Sequence, residues 1–416
     1  MQADLTESVQ SSIRPGEMVD TFYYGETNLE KQAYPCVVNT RFVQQFTNLG
    51  QGSSQFVISP FQGVSDIIVQ LNMPNIATTT GLALSSGWGY GLINRLSVRY
   101  GSSAQYFWSG AQLLLQNLVD ADNSTKTDAM IAQGGSAVVG PACSGAVAYL
   151  YIKLPHNSCR AAGKPLPFPS DLLVQPIVVT IELLSAASVF IVQTGGSIAT
   201  APLALGSAQL QVKQEMLTDT SDLLARRVDM NSHAYTLPLM YFCQQETQVA
   251  CPGGGAQVVN LTGFRAGEVK NIVLWLTLNT EQVPGGGAYN PNKWYPMQQV
   301  TLTYNGEIFS RFDAGSGQLW NLISDEKASI VNTTQATAGA AAGTTAPFVS
   351  YWLDCPFAQV NVPYDKEMKL VHGKPILNAV VNLSFTCPDA SNYTLHAMYL
   401  YNASLLCSRG SAEYIF

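Results

Sequence analysis

Apolar and polar residues alternate through this chain in short runs. From 208 to 213, Ala208, Leu210 and Val212 fall on one face of an extended backbone and Gln209, Gln211 and Lys213 on the other, as in an antiparallel strand with one face buried. The same reading places strands over 41–46, 53–59, 65–73, 93–100, 104–108, 146–154, 172–184 and 208–216. After a break it starts again, over 235–243, 256–262, 271–278, 298–304, 307–312, 348–353, 376–385 and 393–400. Each set holds eight strands, and in each a short helix follows the fifth, over about 109–122 and 315–325.

The two sets are degraded copies of one unit. Leu96-Ser97-Val98-Arg99-Tyr100-Gly101 followed by Ser109-Gly110-Ala111-Gln112-Leu113-Leu114 returns as Val300-Thr301-Leu302-Thr303-Tyr304-Asn305 followed by Gly315-Ser316-Gly317-Gln318-Leu319-Trp320. Asp66-Ile67-Ile68-Val69-Gln70-Leu71 pairs in the same order with Asn271-Ile272-Val273-Leu274-Trp275-Leu276, and Pro176-Ile177-Val178-Val179 with Pro375-Ile376-Leu377. Eight antiparallel strands arranged as two Greek keys make a jelly roll, so the expected fold is all-β, two jelly rolls in tandem. The expected organisation is an N-terminal arm over 1–37, a first roll over 38–218, a connector over 219–232 and a second roll over 233–416.

In a jelly roll the connections after strands one, three, five and seven lie at one end of the sandwich. The long connections, 74–92 and 109–145 in the first unit and 279–297 and 313–347 in the second, follow strands three and five and gather at that end. Their small polar stretches, Gln133-Gly134-Gly135-Ser136 and 333–339, read as exposed loop tips.

Composition narrows the function. Charged residues make up only 12% of the 416 against 47% apolar, so much of the surface is neutral or buried against something else, which favours an assembly subunit over a free enzyme. A net charge of -7 with scattered Lys and Arg gives no basic patch for direct contact with nucleic acid. The eight cysteines show no C-x-x-C pair, and Cys243 and Cys407 sit inside apolar runs, as reduced core residues do. No signal peptide opens the sequence and no apolar run reaches the length of a membrane span, so synthesis in a reducing cytosol is expected. Six N-x-S/T sequons, at Asn123, Asn260, Asn332, Asn382, Asn392 and Asn402, follow from the abundance of Asn, Ser and Thr, and Asn382 lies inside a strand pattern.

Catalytic patterns are missing. Gly253-Gly254-Gly255 and Gly285-Gly286-Gly287 lack the Lys and hydroxyl residue of a phosphate loop. His156 and His233 stand apart, while His372 and His396 fall in or beside strands of the second unit without a carboxylate partner in the pattern. Asp120, Asp122, Asp325 and Glu326 fall at helix ends, where solvated charge is ordinary. The reading assigns no catalytic, cofactor-binding or metal-ligating residue.

Two tandem rolls, a helix after each fifth strand, long loops at one end, a short N-terminal arm and low charge resemble the double jelly-roll major capsid proteins. That lineage spans the large eukaryotic DNA viruses, the virophages, the adenoviruses and the tailless membrane-containing phages. The closing segment, 395–406, resembles the last strand and tail of the large-virus members. The resemblance implies homotrimers of pseudo-hexagonal outline that tile an icosahedral shell over an inner membrane. It also implies location in the virion after synthesis in the host cytoplasm, minor capsid or penton proteins and an inner-membrane-associated protein as further partners, and no catalytic residue. A glycan-binding or glycan-processing double jelly roll is the alternative of another class.

Overall fold

The computed structural model describes residues 37–59, 63–77, 81–119, 133–152, 160–161, 164–165, 168, 170, 173–192, 203–217, 234–262, 268–283, 294–295, 297–311, 328–335, 344–352, 374–375, 379–408 and 411–415. Residues 1–36 of the expected arm over 1–37, the connector and the expected helix over 315–325 lie outside them, and Val37 already belongs to the first strand. In the first half the strands are β1 (Val37–Gln45), β2 (Gly52–Ile58), β3 (Gly63–Asn72), β4 (Leu82–Leu84), β5 (Ile93–Tyr100), β6 (Tyr106–Trp108), β7 (Val138–Val139), β8 (Val147–Ile152), β9 (Arg160–Ala161), β10 (Lys164–Pro165), β11 (Ile177–Leu183), β12 (Phe190–Val192) and β13 (Ser207–Leu217). Two helices interrupt them, α1 (Trp88–Gly91) and α2 (Gly110–Val119).

These strands form two facing antiparallel four-stranded sheets, in the orders β1-β13-β3-β8 and β2-β11-β5-β6. The second half repeats the plan with β14 (Ala234–Cys251), β15 (Ala256–Leu261), β16 (Glu268–Leu278), β17 (Gln298–Tyr304), β18 (Glu307–Arg311), β19 (Ala328–Gln335), β20 (Thr344–Trp352), β21 (Lys374–Pro375), β22 (Val381–Thr386), β23 (Tyr393–Ser408) and β24 (Ser411–Ile415). Its sheets run β14-β23-β16-β20-β19 and β15-β22-β17-β18. In both halves the strands numbered first, eighth, third and sixth in the expected series make one sheet, and the second, seventh, fourth and fifth make the other. That is the jelly-roll order, occurring twice.

Two of the aligned stretches take corresponding places, whereas the third does not: Pro375 pairs with β16 in the other sheet, and Val381 rather than Ile376 answers to Ile177. Tyr100 ends β5 opposite Ile177, the first residue of β11, and Tyr304 ends β17 opposite Val381, the first residue of β22. Ile67 sits between Val212 and Ile152, and Ile272 between Tyr399 and Tyr351. Period-two alternation supplies the core: Ile67, Val69, Leu71, Leu210 and Val212 face inward and are fully buried.

Several expected boundaries move. The strand expected over 172–184 begins at Ile177, because Pro176 offers no N–H to the ladder and Val174 and Gln175 before it are exposed. The strand expected over 376–385 is placed over Val381–Thr386, and Lys374–Pro375 before it joins β16 in the other sheet. The strand over 235–243 extends to Cys251, and the exposed Gln248 within it does not end the ladder. Thr333 to Gln335, expected in a loop tip, belong to β19.

The ends of the first sandwich are built as the loop lengths require. β4, β7 and β12, taken from the connections after strands three, five and seven, form one small sheet in the order β12-β4-β7. The connection after β1 joins them, with the Leu205 N–H donating to the Leu49 carbonyl at 2.7 Å. Gly134 and Gly135 are not an exposed tip. Their carbonyls accept from the N–H groups of Gly89 and Gly87 at 2.8 and 2.7 Å, and a Cβ on Gly135, whose φ is +113°, would stand 2.2 Å from Trp88 Nε1. Gly135 is small because the Trp88 indole occupies the space a side chain would need.

Candidate assembly surfaces

The outer face of the β1-β13-β3-β8 sheet carries a row of uncharged amides towards one end, with Arg41 opposite Lys213 farther along it. Gln45 Nε2 donates to Gln209 Oε1 at 3.3 Å, Gln209 Nε2 to Gln70 Oε1 at 2.6 Å, and Gln70 Nε2 to Asn72 Oδ1 at 3.3 Å. Asn72 Nδ2 ends the row on Ser207 Oγ at 2.7 Å. Val43, Val147 and Tyr149 lie on the same face and are exposed. The row follows from register, which sets Gln45, Gln209, Gln70 and Tyr149 side by side across the four strands.

The corresponding face of the second sandwich is closed within the single chain. Val273, Trp275, Thr277 and Met398 are fully buried on it, and His396 is nearly so. His396 stacks on Trp275 with ring centroids 5.0 Å apart, and its Nε2 lies 2.8 Å from Thr277 Oγ1. Cross-strand register puts Trp275 opposite His396, so packing alone accounts for this histidine's place. His156, His233 and His372, with Asp120, Asp122, Asp325 and Glu326, lie outside the described residues.

The opposite sheet of the second sandwich has an outer face of Val258, Asn260, Ser384, Asn382, Thr301 and Thr303, reaching Ile308 on β18. None of these carries charge, and Val258 is 78% and Ile308 60% exposed. The first sandwich differs here. Its matching face holds Arg95, which lies 3.8 Å above the Phe107 ring, and Glu182, which accepts from Asn94 Nδ2 at 2.9 Å.

Among the described residues the two sandwiches meet at a junction. The edge strand β6 lies against β14, and the turn after β5 meets β24. Ala412 N–H donates to Ser102 Oγ at 3.0 Å, and Ser102 Oγ–H donates to the Ala412 carbonyl at 3.4 Å. The β23–β24 hairpin covers Leu405 and Cys407, and burial raises the Tyr414 hydroxyl beside Ser103 above its ordinary pKa. The sequence reading missed β24. Its alternation is only five residues long and follows a strand already counted as finished at 400.

Cys143, Cys251, Cys387 and Cys407 are buried free thiols, so Cys407 is the reduced core residue its apolar run suggests. Cys243 lies on β14, and its side chain is outside the described ones. Among the described residues no group of three or more His, Cys, Asp and Glu is placed to hold a metal, and no helix is long and apolar enough to cross a membrane. Gly253, Gly254 and Gly255 all have positive φ in the turn between β14 and β15, a strand-to-strand connection unlike the strand-to-helix setting of a phosphate loop.

No family model and no curated protein matches this sequence. Solved structures do. A quasi-atomic model of the PBCV-1 virus capsid matches with a TM-score of 0.59 at 15% identity, over 92% of this chain and 97% of its own. The crystal structure of PBCV-1 VP54, fitted into a reconstruction of the virophage Sputnik, matches with a TM-score of 0.57 at 14% identity over the same shares. The mavirus major capsid protein matches with a TM-score of 0.52 at 11% identity, over 94% of this chain and 93% of its own. The chain therefore has the double jelly-roll fold found in viral major capsid proteins.

Proposed function

We infer that the protein is a major capsid protein of a DNA virus, a structural component of the virion with no enzymatic role. The observation that carries this is coverage: the likeness to capsid proteins runs through both sandwiches and over 92% of the chain. In this reading residues 38–218 and 233–416 are the two rolls, 219–232 connects them and 1–37 is the arm. The working unit is a homotrimer whose six rolls give a pseudo-hexagonal outline, and such capsomers tile an icosahedral shell. Minor capsid or penton proteins and a protein of an inner membrane are its further partners, and the chain is made in the host cytoplasm. The amide row and the exposed Val43, Val147, Tyr149, Val258 and Ile308 support the oligomer, because an uncharged patch loses less on leaving water than a charged one.

Native mass spectrometry and sedimentation at micromolar concentration test the reading. The expected particle has three times the 44.8 kDa mass of the chain. A stable monomer, particularly one that binds a defined glycan at its loop end, would overturn it in favour of a glycan-binding protein.

A further inference from the structure

Two buried thiols point into one end of the second sandwich from opposite sheets. β14 ends at Cys251, which pairs with Tyr393 in the sheet β14-β23-β16-β20-β19. Cys387 follows Thr386, the last residue of β22, in the facing sheet β15-β22-β17-β18. Alternation turns both inward. Cys251 continues the series of Val249, which lies opposite the core residue Leu395, and Cys387 continues Val381, Leu383 and Phe385, buried at every second position. Both cysteines are free and buried.

The turn from β14 to β15 brings the two positions together. It runs from Pro252 to Gly255, and the Gly255 carbonyl accepts from the Cys387 N–H at 2.8 Å. The turn between β22 and β23 closes over the same spot: Gly253 N–H donates to Asn392 Oδ1 at 2.8 Å, and a Cβ on Gly254 would overlap the Asp389 carbonyl oxygen. Burial raises the Cys387 pKa, and charge on Cys251 raises it further, which requires the two sulfurs to be near each other. A Cβ on Gly253 or Gly255 would meet nothing, so the turn has room to shift as the cysteine Cβ atoms reach the separation of about 3.5–4.5 Å that a disulfide needs.

We propose that Cys251 and Cys387 are a redox pair, which a peroxide closes to a disulfide between the two sheets of the second sandwich. This goes beyond the capsid reading and does not depend on it. One thiolate attacks the O–O bond of the peroxide, forming a sulfenic acid and releasing water. The second thiol then displaces water from that sulfur and completes the S–S bond. Two thiols lose two protons and two electrons, and hydrogen peroxide becomes two waters. Because burial holds both thiols protonated near neutral pH, the reaction is slow there and faster in mild alkali. The bond closes the chain from 251 to 387, so the oxidised protein should unfold at a higher temperature.

Peptide mapping of the full chain tests this. The folded protein is treated with hydrogen peroxide at about pH 8.5, where thiolate begins to form, then unfolded with an alkylating agent and digested without reductant. The expected product joins the Cys251 and Cys387 peptides at about 2 Da below their summed mass, and dithiothreitol separates them. The thermal midpoint should rise on oxidation, return with dithiothreitol, and stay unmoved by peroxide in Cys387→Ser. Cys251 recovered alkylated, as a sulfinic acid, or joined to a different cysteine would overturn the pair. The mapping uses the native chain, so it decides the question even where Cys387→Ser does not fold.

Discussion

Burial of ionisable side chains sets how the protein responds to alkali. Burial first, with small opposing hydrogen bonds, pushes the hydroxyls of Tyr90 and Tyr399 up to about 12, and burial pushes the Cys407 thiol to about 12 and the Cys387 thiol to about 11. In the unfolded chain these groups ionise near about 8.5 for Cys and about 10 for Tyr. Between the unfolded and folded values the unfolded chain has released protons that the folded chain still holds, so stability falls as pH rises. Thermal unfolding should occur at a constant temperature from pH 7 to 8 and at progressively lower temperatures above about pH 9. Replacing Cys407 by Ala should flatten the first part of that fall, and a midpoint unchanged up to pH 11 would contradict the assignment. At this scale the sequence was informative about the thiols, since apolar neighbours mark Cys407 as core. It was misleading about Gly134 and Gly135, because composition cannot distinguish glycine at a free tip from buried glycine, here Gly134 bonded to Gly89 and Gly135 held against Trp88.

The elements were legible in proportion to the length of their alternation. All eight strands of the first sandwich were expected from period-two runs, whereas β4, β7 and β12 are two or three residues long and carry no period. The helix after the fifth strand was expected from its apolar spacing, but the reason it starts where it does lies in a reciprocal cap. Ser109 N–H donates to Gln112 Oε1 at 2.9 Å, and Gln112 N–H donates to Ser109 Oγ at 3.2 Å. Helix α2 then packs so closely that a Cβ on Gly110 would overlap the Tyr90 carbonyl oxygen. Ser109→Ala removes one half of the cap and should destabilise the fold by about 1 kcal/mol, measured by denaturant unfolding. A change well below that would mean tertiary packing, not the cap, determines the helix start. In the second unit Gly315 stands at the place aligned with Ser109, so the repeat did not carry this hydroxyl with it.

For the whole molecule, the junction between sandwiches depends on the last strand of the chain. β24 pairs along Ser404–Ser408 of β23 and brings Ala412 to Ser102, more than three hundred residues earlier in sequence. That contact was beyond sequence reading, because the internal repeat describes each sandwich and says nothing of how one meets the other. Tyr100, Leu405, Cys407 and Ala412 are all nearly or fully buried around it. Burial of apolar side chains at about 1.5–3 kcal/mol each makes the hairpin a substantial part of what couples the halves. A chain ending at Ser408 keeps both sets of facing sheets but exposes the site that β24 covered. It should unfold in two calorimetric transitions where the full chain shows one, and Cys407 should become reactive to a thiol reagent under native conditions. A single transition at an unchanged temperature, with Cys407 still protected, would place the coupling instead in the β6–β14 contact, which the truncation leaves intact.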